Sequence, residues 1–62
     1  MKPMLLGVTV SVYNLDHEPQ HNYIVVRRDE ETAKLWWYGS YETEEKANRV
    51  AVEIGNGIVL KR

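Results

Sequence analysis

LWWYGSYETEEKANRVAVEI, running from Leu35 to Ile54, is the stretch whose reading decides the fold of this chain. Leu35, Trp36, Trp37 and Tyr38 are large residues of the kind that fit a pleated surface. Side chains alternate between the two faces of a strand. Trp36 and Tyr38 are therefore expected on one face, Leu35 and Trp37 on the other. Gly39 and Ser40 break the run. Thr43 is suited to cap a helix, because its hydroxyl can accept from a free N–H of the first turn. Glu44 and Glu45 follow, where negative charge complements the positive end of the helix dipole. Ala47, Val50, Ala51 and Ile54 fall at i, i+3, i+4 and i+7 and form one apolar stripe, with Val52 off it. Gly55 supplies the left-handed stop. Strand, corner and amphipathic helix follow from these residues alone.

Working outward, Leu6, Val8, Val10 and Val12 alternate with Gly7, Thr9 and Ser11. They predict one strand that begins near Pro3 and extends to Tyr13. Asn14–Asn22, NLDHEPQHN, is polar and contains Pro19; it is expected to be a long hairpin loop. Tyr23–Arg28, YIVVRR, is a strand apolar on both faces, which places it centrally. Asp29–Thr32 is a charged turn, and Ala33–Tyr38 the third strand of a meander. After the helix, Gly55-Asn56-Gly57 turns the chain into a short last strand, Ile58–Leu60. The expected fold is α+β: a two-layer sandwich of an antiparallel sheet with one helix on one face, in the order β-β-β-α-β, forming a single domain over residues 1–62.

Sixty-two residues bury only about 60% of their unfolded surface, so such a chain is marginal without a staple. There is no cysteine, which excludes disulfides and thiolate metal sites. A homodimer is the expected remedy. The net charge of −1 argues against a mainly electrostatic binder of nucleic acid or membrane surfaces. The N-terminal residues do not read as a signal peptide, and no run is long enough to span a bilayer. A cytoplasmic protein without membrane attachment is expected.

Few residues suggest chemistry. His17 and His21 lie four apart beside Asp16 and Glu18, but Pro19 between them opposes the helix that would align two imidazoles on a metal. A solvated loop is expected there, with no metal. Gly55-Asn56-Gly57 follows a helix and so lies at its negative end, the wrong end for phosphate. The acidic groups Asp29–Glu31 and Glu42–Glu45 are assigned to a turn and a helix start. No nucleophile has a base in its sequence context. Neither catalysis nor a cofactor is expected.

The aromatic residues carry more weight. Trp36 or Trp37, together with Tyr13, Tyr23, Tyr38 or Tyr41, is expected on the sheet face away from the helix, with Arg27, Arg28 and Lys34 nearby. Aromatics and arginine are enriched at interface hot spots. Tyr23, Arg27, Lys34, Trp36, Trp37 and Tyr38 are therefore the candidate face for a second copy of the chain or another protein. The alternative is a nucleic-acid-binding domain using Arg27, Arg28, Lys34 and stacked aromatics.

The segment Tyr38–Ala47, YGSYETEEKA, resembles the strand-to-helix corner of the N-terminal arm-binding domains of phage-type tyrosine integrases. That resemblance implies three strands followed by a helix, with the sheet contacting DNA. Carried over, it implies Arg27, Arg28, Lys34 and Trp36 as the contacting residues. The chain departs from that family in its slightly acidic charge, its extra strand after the helix and the lack of a recombinase domain. Small bacterial and phage domains with the same corner and a closing strand are similar in topology, which suggests an accessory protein of such a source.

Overall fold

The structure is a computed structural model that describes residues 4–6 and 10–62. The elements are β1 (Met4–Leu6), β2 (Val10–Tyr13), β3 (Tyr23–Arg28), β4 (Leu35–Tyr41), α1 (Glu44–Ile54) and β5 (Gly57–Lys61). Among the described residues they form one five-stranded sheet, ordered β1-β2-β4-β3-β5, with one helix. The α+β class is as expected, and β2-β3-β4-α1-β5 reproduces the order β-β-β-α-β.

The sheet is mixed where an antiparallel one was expected. β2 lies parallel to β4, with Val12 opposite Leu35 and Tyr13 opposite Trp36. β3 pairs antiparallel with both β4 and β5. The expected meander fails at its first step, because β2 and β3 are not neighbours. The reason lies in the connection. The end of β2 is level with Trp36, whereas β3 begins opposite Tyr41. Residues 14–22 span that offset and cross β4, about two strand spacings, which a nine-residue segment does easily.

The expected strand from Leu6 to Tyr13 is two short strands, with Leu6 opposite Val10 and Met4 opposite Val12. Gly7, Val8 and Thr9 of that expected strand lie outside the described residues, as does Pro3. An alternating pattern is the same whether a strand runs on or doubles back with even positions opposite even positions. The third strand is Leu35–Tyr41, not Ala33–Tyr38: Gly39 and Ser40, expected to break the run, continue it opposite Val25 and Ile24. Ala33 has φ 59°, and its N–H donates to the Asp29 carbonyl (2.8 Å) within a turn closed by Asp29 N–H on the Lys34 carbonyl (2.9 Å).

The helix forms as its sequence predicts. Thr43 is extended (φ −125°, ψ 150°), and its hydroxyl accepts from the Lys46 N–H at 3.2 Å. Gly55 ends the helix at φ 83°, a conformation that favours glycine, and its N–H donates to the Val52 carbonyl at 3.1 Å. The helix lies over β3 and β5, with less over β4. Ala47 is fully buried, as is Val25. At Gly57 a Cβ would come within 2.5 Å of the Ala51 Cα. Gly57 therefore marks the helix-facing side of β5, and the period of two assigns Val59, Val25, Gly39 and Trp36 to that side by register.

The opposite face has its own core. Val12, Leu15, Ile24 and Val26 are buried together, and Leu35, Trp37, Ile58 and Leu60 pack against them. Leu15 belongs to the 14–22 loop, and so does the buried Pro19. The His17 ring stands edge-on to Trp37, centroids 5.7 Å apart. The loop is fastened by Arg62. Its guanidinium donates to the Pro19 carbonyl and the Glu18 carboxylate, both at 2.6 Å, and its backbone N–H donates to the Asn22 carbonyl at 2.9 Å. The polar loop is thus the second cover of the sheet.

Gly57→Ala should lower stability by about 1–3 kcal/mol in denaturant unfolding, because the added methyl meets helix backbone. Arg62→Ala should cost only about 1 kcal/mol, since Glu18 is solvent-exposed. It should nonetheless speed amide exchange through residues 15–22 well beyond the change seen in the strands.

Candidate functional site

The helix leaves part of its own face of the sheet open. Tyr13 and Trp36 are opposite each other on β2 and β4, with ring centroids 5.5 Å apart. The Lys34 ammonium lies over the Tyr13 ring, 4.9 Å from its centroid. Arg27 is opposite Trp36 from the other side, on β3. A cation, two rings and a second cation thus run across three strands beside the helix.

The strand β4 widens this patch by a bulge. Val25 is opposite Gly39 and Val26 is opposite Trp37, so Tyr38 is the extra residue. A bulge re-aims a side chain and is common beside binding sites. Tyr38 is half exposed and lines the same groove as Trp36. The groove is open, about 750 Å³ in volume, and is lined by Trp36, Trp37, Tyr38, Arg27, Glu30 and Ile54, with Asn14, Gly55 and Asn56 at its margin. Asn56 is fixed to β3: its side-chain amide donates to the Arg28 carbonyl at 2.8 Å, and its own carbonyl accepts from the Arg28 N–H at 3.1 Å. The end of the groove at Ile54 and Gly55 is the helix C-terminus, whose last turn carries no basic side chain. Free carbonyls there give a partial negative charge.

These positions revise the sequence reading. One of the two tryptophans, with some of the tyrosines, was expected on the face away from the helix and Arg27 beside it; the register puts Trp36, Arg27 and Tyr23 on the helix side. Trp37 alone of the six candidates packs against the core of the other face, while also contributing to the lining of the groove. Tyr38 and Lys34 border the aromatic patch, through the groove and through Tyr13. Tyr23 stands at the far end of β3, with the Lys61 ammonium 5.8 Å from its ring centroid, apart from the patch. Arg28 is exposed and is opposite Leu35, on the side of Trp37. Asn14, Glu30, Ile54 and Asn56 of the groove lining were not anticipated, because they come from three connections and a helix end that only the fold brings together.

The other polar groups are local. Asp16 accepts from His17 Nδ1 at 2.9 Å, and this hydrogen bond, more than its own backbone contact, holds the carboxyl below its usual pKa. His21 is half-buried and is not part of that pair. Among the described residues no three of His, Asp and Glu gather as metal ligands. No helix among them is long and apolar enough to cross a membrane. Searches with protein-family models, against curated proteins and against solved structures returned no match.

Tyr41 ends β4, opposite Tyr23 on the helix side of the sheet. Its ring lies over Gly39, where a Cβ would meet the hydroxyl at 3.0 Å. Desolvation raises its pKa above 10.0, with smaller contributions from Tyr38 and Glu53. The unfolded chain then loses this proton first, so the stability tied to Tyr41 is complete below pH 10 and fades as pH rises through the folded value. In unfolding experiments above pH 10, wild-type protein should lose stability faster than Tyr41→Phe, and absorbance titration should show one late-ionising tyrosine missing from the variant.

Proposed function

We propose that this chain is a small non-catalytic binding module that takes a polypeptide segment of another protein in the groove beside the helix C-terminus. The single observation that carries this is the gathering of Trp36, Tyr38, Tyr13 and Arg27 on the part of the sheet the helix leaves open. Aromatic and arginine anchors in a groove are the residue types that dominate protein–protein hot spots. Mixed charge favours a polypeptide over a polyanion. Glu30 shares the groove with Arg27, and the helix end adds negative potential. A segment with an apolar anchor for the Trp36 ring and a cationic side chain toward Ile54 and Gly55 suits that arrangement.

Self-association through the face opposite the helix would have to displace the loop that buries Leu15 and Pro19 there, so we assign partner binding to the helix side. Nucleic acid is the second reading. It rests on Lys34 and Arg27 flanking Tyr13 and Trp36, the elements of a stacking platform.

Peptides selected from a displayed random library should compete for one site. Trp36→Ala should weaken them by about 30-fold or more, the 2 kcal/mol of an aromatic anchor. Arg27→Ala should weaken them less. Single-stranded oligonucleotides should bind weakly at low salt. Steeply salt-dependent oligonucleotide binding, lost in Arg27→Ala and Lys34→Ala, would transfer the assignment to the second reading. Peptide binding indifferent to Trp36 would remove the first.

A further inference from the structure

The outer edge of β5 carries a second interaction surface, and its hydrogen-bonding pattern selects its partner. Arg28 N–H donates to the Asn56 carbonyl, and Arg62 N–H to the Asn22 carbonyl. Both pairs belong to the register that sets Val25 opposite Val59. Backbone groups in an antiparallel ladder point alternately to one neighbour and the other. Asn56, Ile58, Leu60 and Arg62 therefore bond toward β3, and the N–H and C=O groups of Gly57, Val59 and Lys61 point away from it. Among the described residues no strand lies on that side.

Edges of this kind are usually guarded by a bulge, a proline or a charged side chain, lysine above all, and on β5 the one such guard is Lys61 at its end. Here the strand reads Gly-Ile-Val-Leu before its terminal Lys61. Beside it the helix presents Val52, which is 79% exposed and off the apolar stripe. Val52 and Val59 line one groove between helix and strand, together with Ala51 and Gly57.

We infer that this edge pairs with the same edge of a second copy of the chain, β5 against β5 antiparallel, about a two-fold axis at Val59. The register is self-complementary. Val59 is opposite Val59 of the second copy, and Gly57 is opposite Lys61, so all the outward groups of these three residues find partners. Shifting by two residues leaves one of them out. Ile58 comes opposite Leu60 on the loop-covered face, extending a cluster that each chain buries only in part. Lys61 meets a glycine and not another lysine, which avoids opposed like charges. The two-fold brings the second copy's Val52 to the helix side of the same seam. With a net charge of −1 per chain, repulsion between copies is weak. The result is one ten-stranded sheet with both grooves on the same face. Five strand spacings of about 4.8 Å set the two copies of β4 about 24 Å apart. This inference stands apart from the peptide reading, since the edge and the aromatic groove share no residue but Gly55.

Analytical ultracentrifugation with amide exchange tests it. Wild-type protein should show twice the 7.2 kDa chain mass, with the outward Val59 and Lys61 amides protected. Val52→Lys, on an exposed site, should weaken association by about tenfold or more and expose those amides while leaving the fold intact by circular dichroism. Val59→Pro removes an outward N–H and should also yield monomer; if it does not fold, Val52→Lys decides. Trp36→Ala should leave the mass unchanged. A 7.2 kDa species at millimolar protein overturns the inference. So does a dimer that survives Val52→Lys with its edge amides unprotected, or one that Trp36→Ala dissolves.

Discussion

The structure depends on β3 being buried on both faces. Ile24, Val25 and Val26 are all fully buried, and successive residues of a strand face opposite ways. The helix covers one side of the sheet, and the other side has a second cover. That cover is the segment between β2 and β3. Leu15 enters the core and Pro19 is buried, while Asp16, Glu18 and Gln20 keep the outer surface polar. Arg62 then ties the segment to the end of β5. Three layers result from one helix, one sheet and one loop.

That arrangement determines where recognition takes place. The helix settles over β3 and β5, because Gly57 and Ala51 allow the closest approach there. β2 and β4 are left largely uncovered on the helix side, and these strands carry Tyr13, Trp36 and Tyr38. The close contact that stabilises the helix is therefore also what leaves Tyr38 exposed and Tyr13 and Trp36 only half-buried. The helix C-terminus lends its carbonyl end to the groove, which gives a surface of mixed charge and not a basic one.

The same geometry leaves β5 at an edge. A strand with outward backbone groups, a glycine at one end and valine on the adjacent helix is unusually open for a small domain. Pairing two such edges would lengthen the sheet without disturbing either cover. It would also present two grooves together, so that a partner with two suitable segments gains from effective concentration more than from new contacts.

Most local structure was legible in the residues. Thr43, the Ala47–Ile54 stripe and Gly55 specify the helix and its ends, and the double-sided apolar run from Tyr23 to Val26 marks a strand with neighbours on both sides. The separation of Trp36 from Trp37 follows from alternation. Leu15 and Pro19, apolar residues inside a polar segment, were the available sign that the loop packs. What the chain could not express locally is which neighbour each strand takes and which tryptophan shares the helix's side. A period of two records that a strand has two different faces. It does not record the strand's direction relative to its neighbour, or whether helix or loop covers a given face. Those choices rest on contacts between residues far apart in the chain, Ala51 against Gly57's strand, Leu15 against Val26, Arg62 on Pro19, and only the folded arrangement brings them within reach.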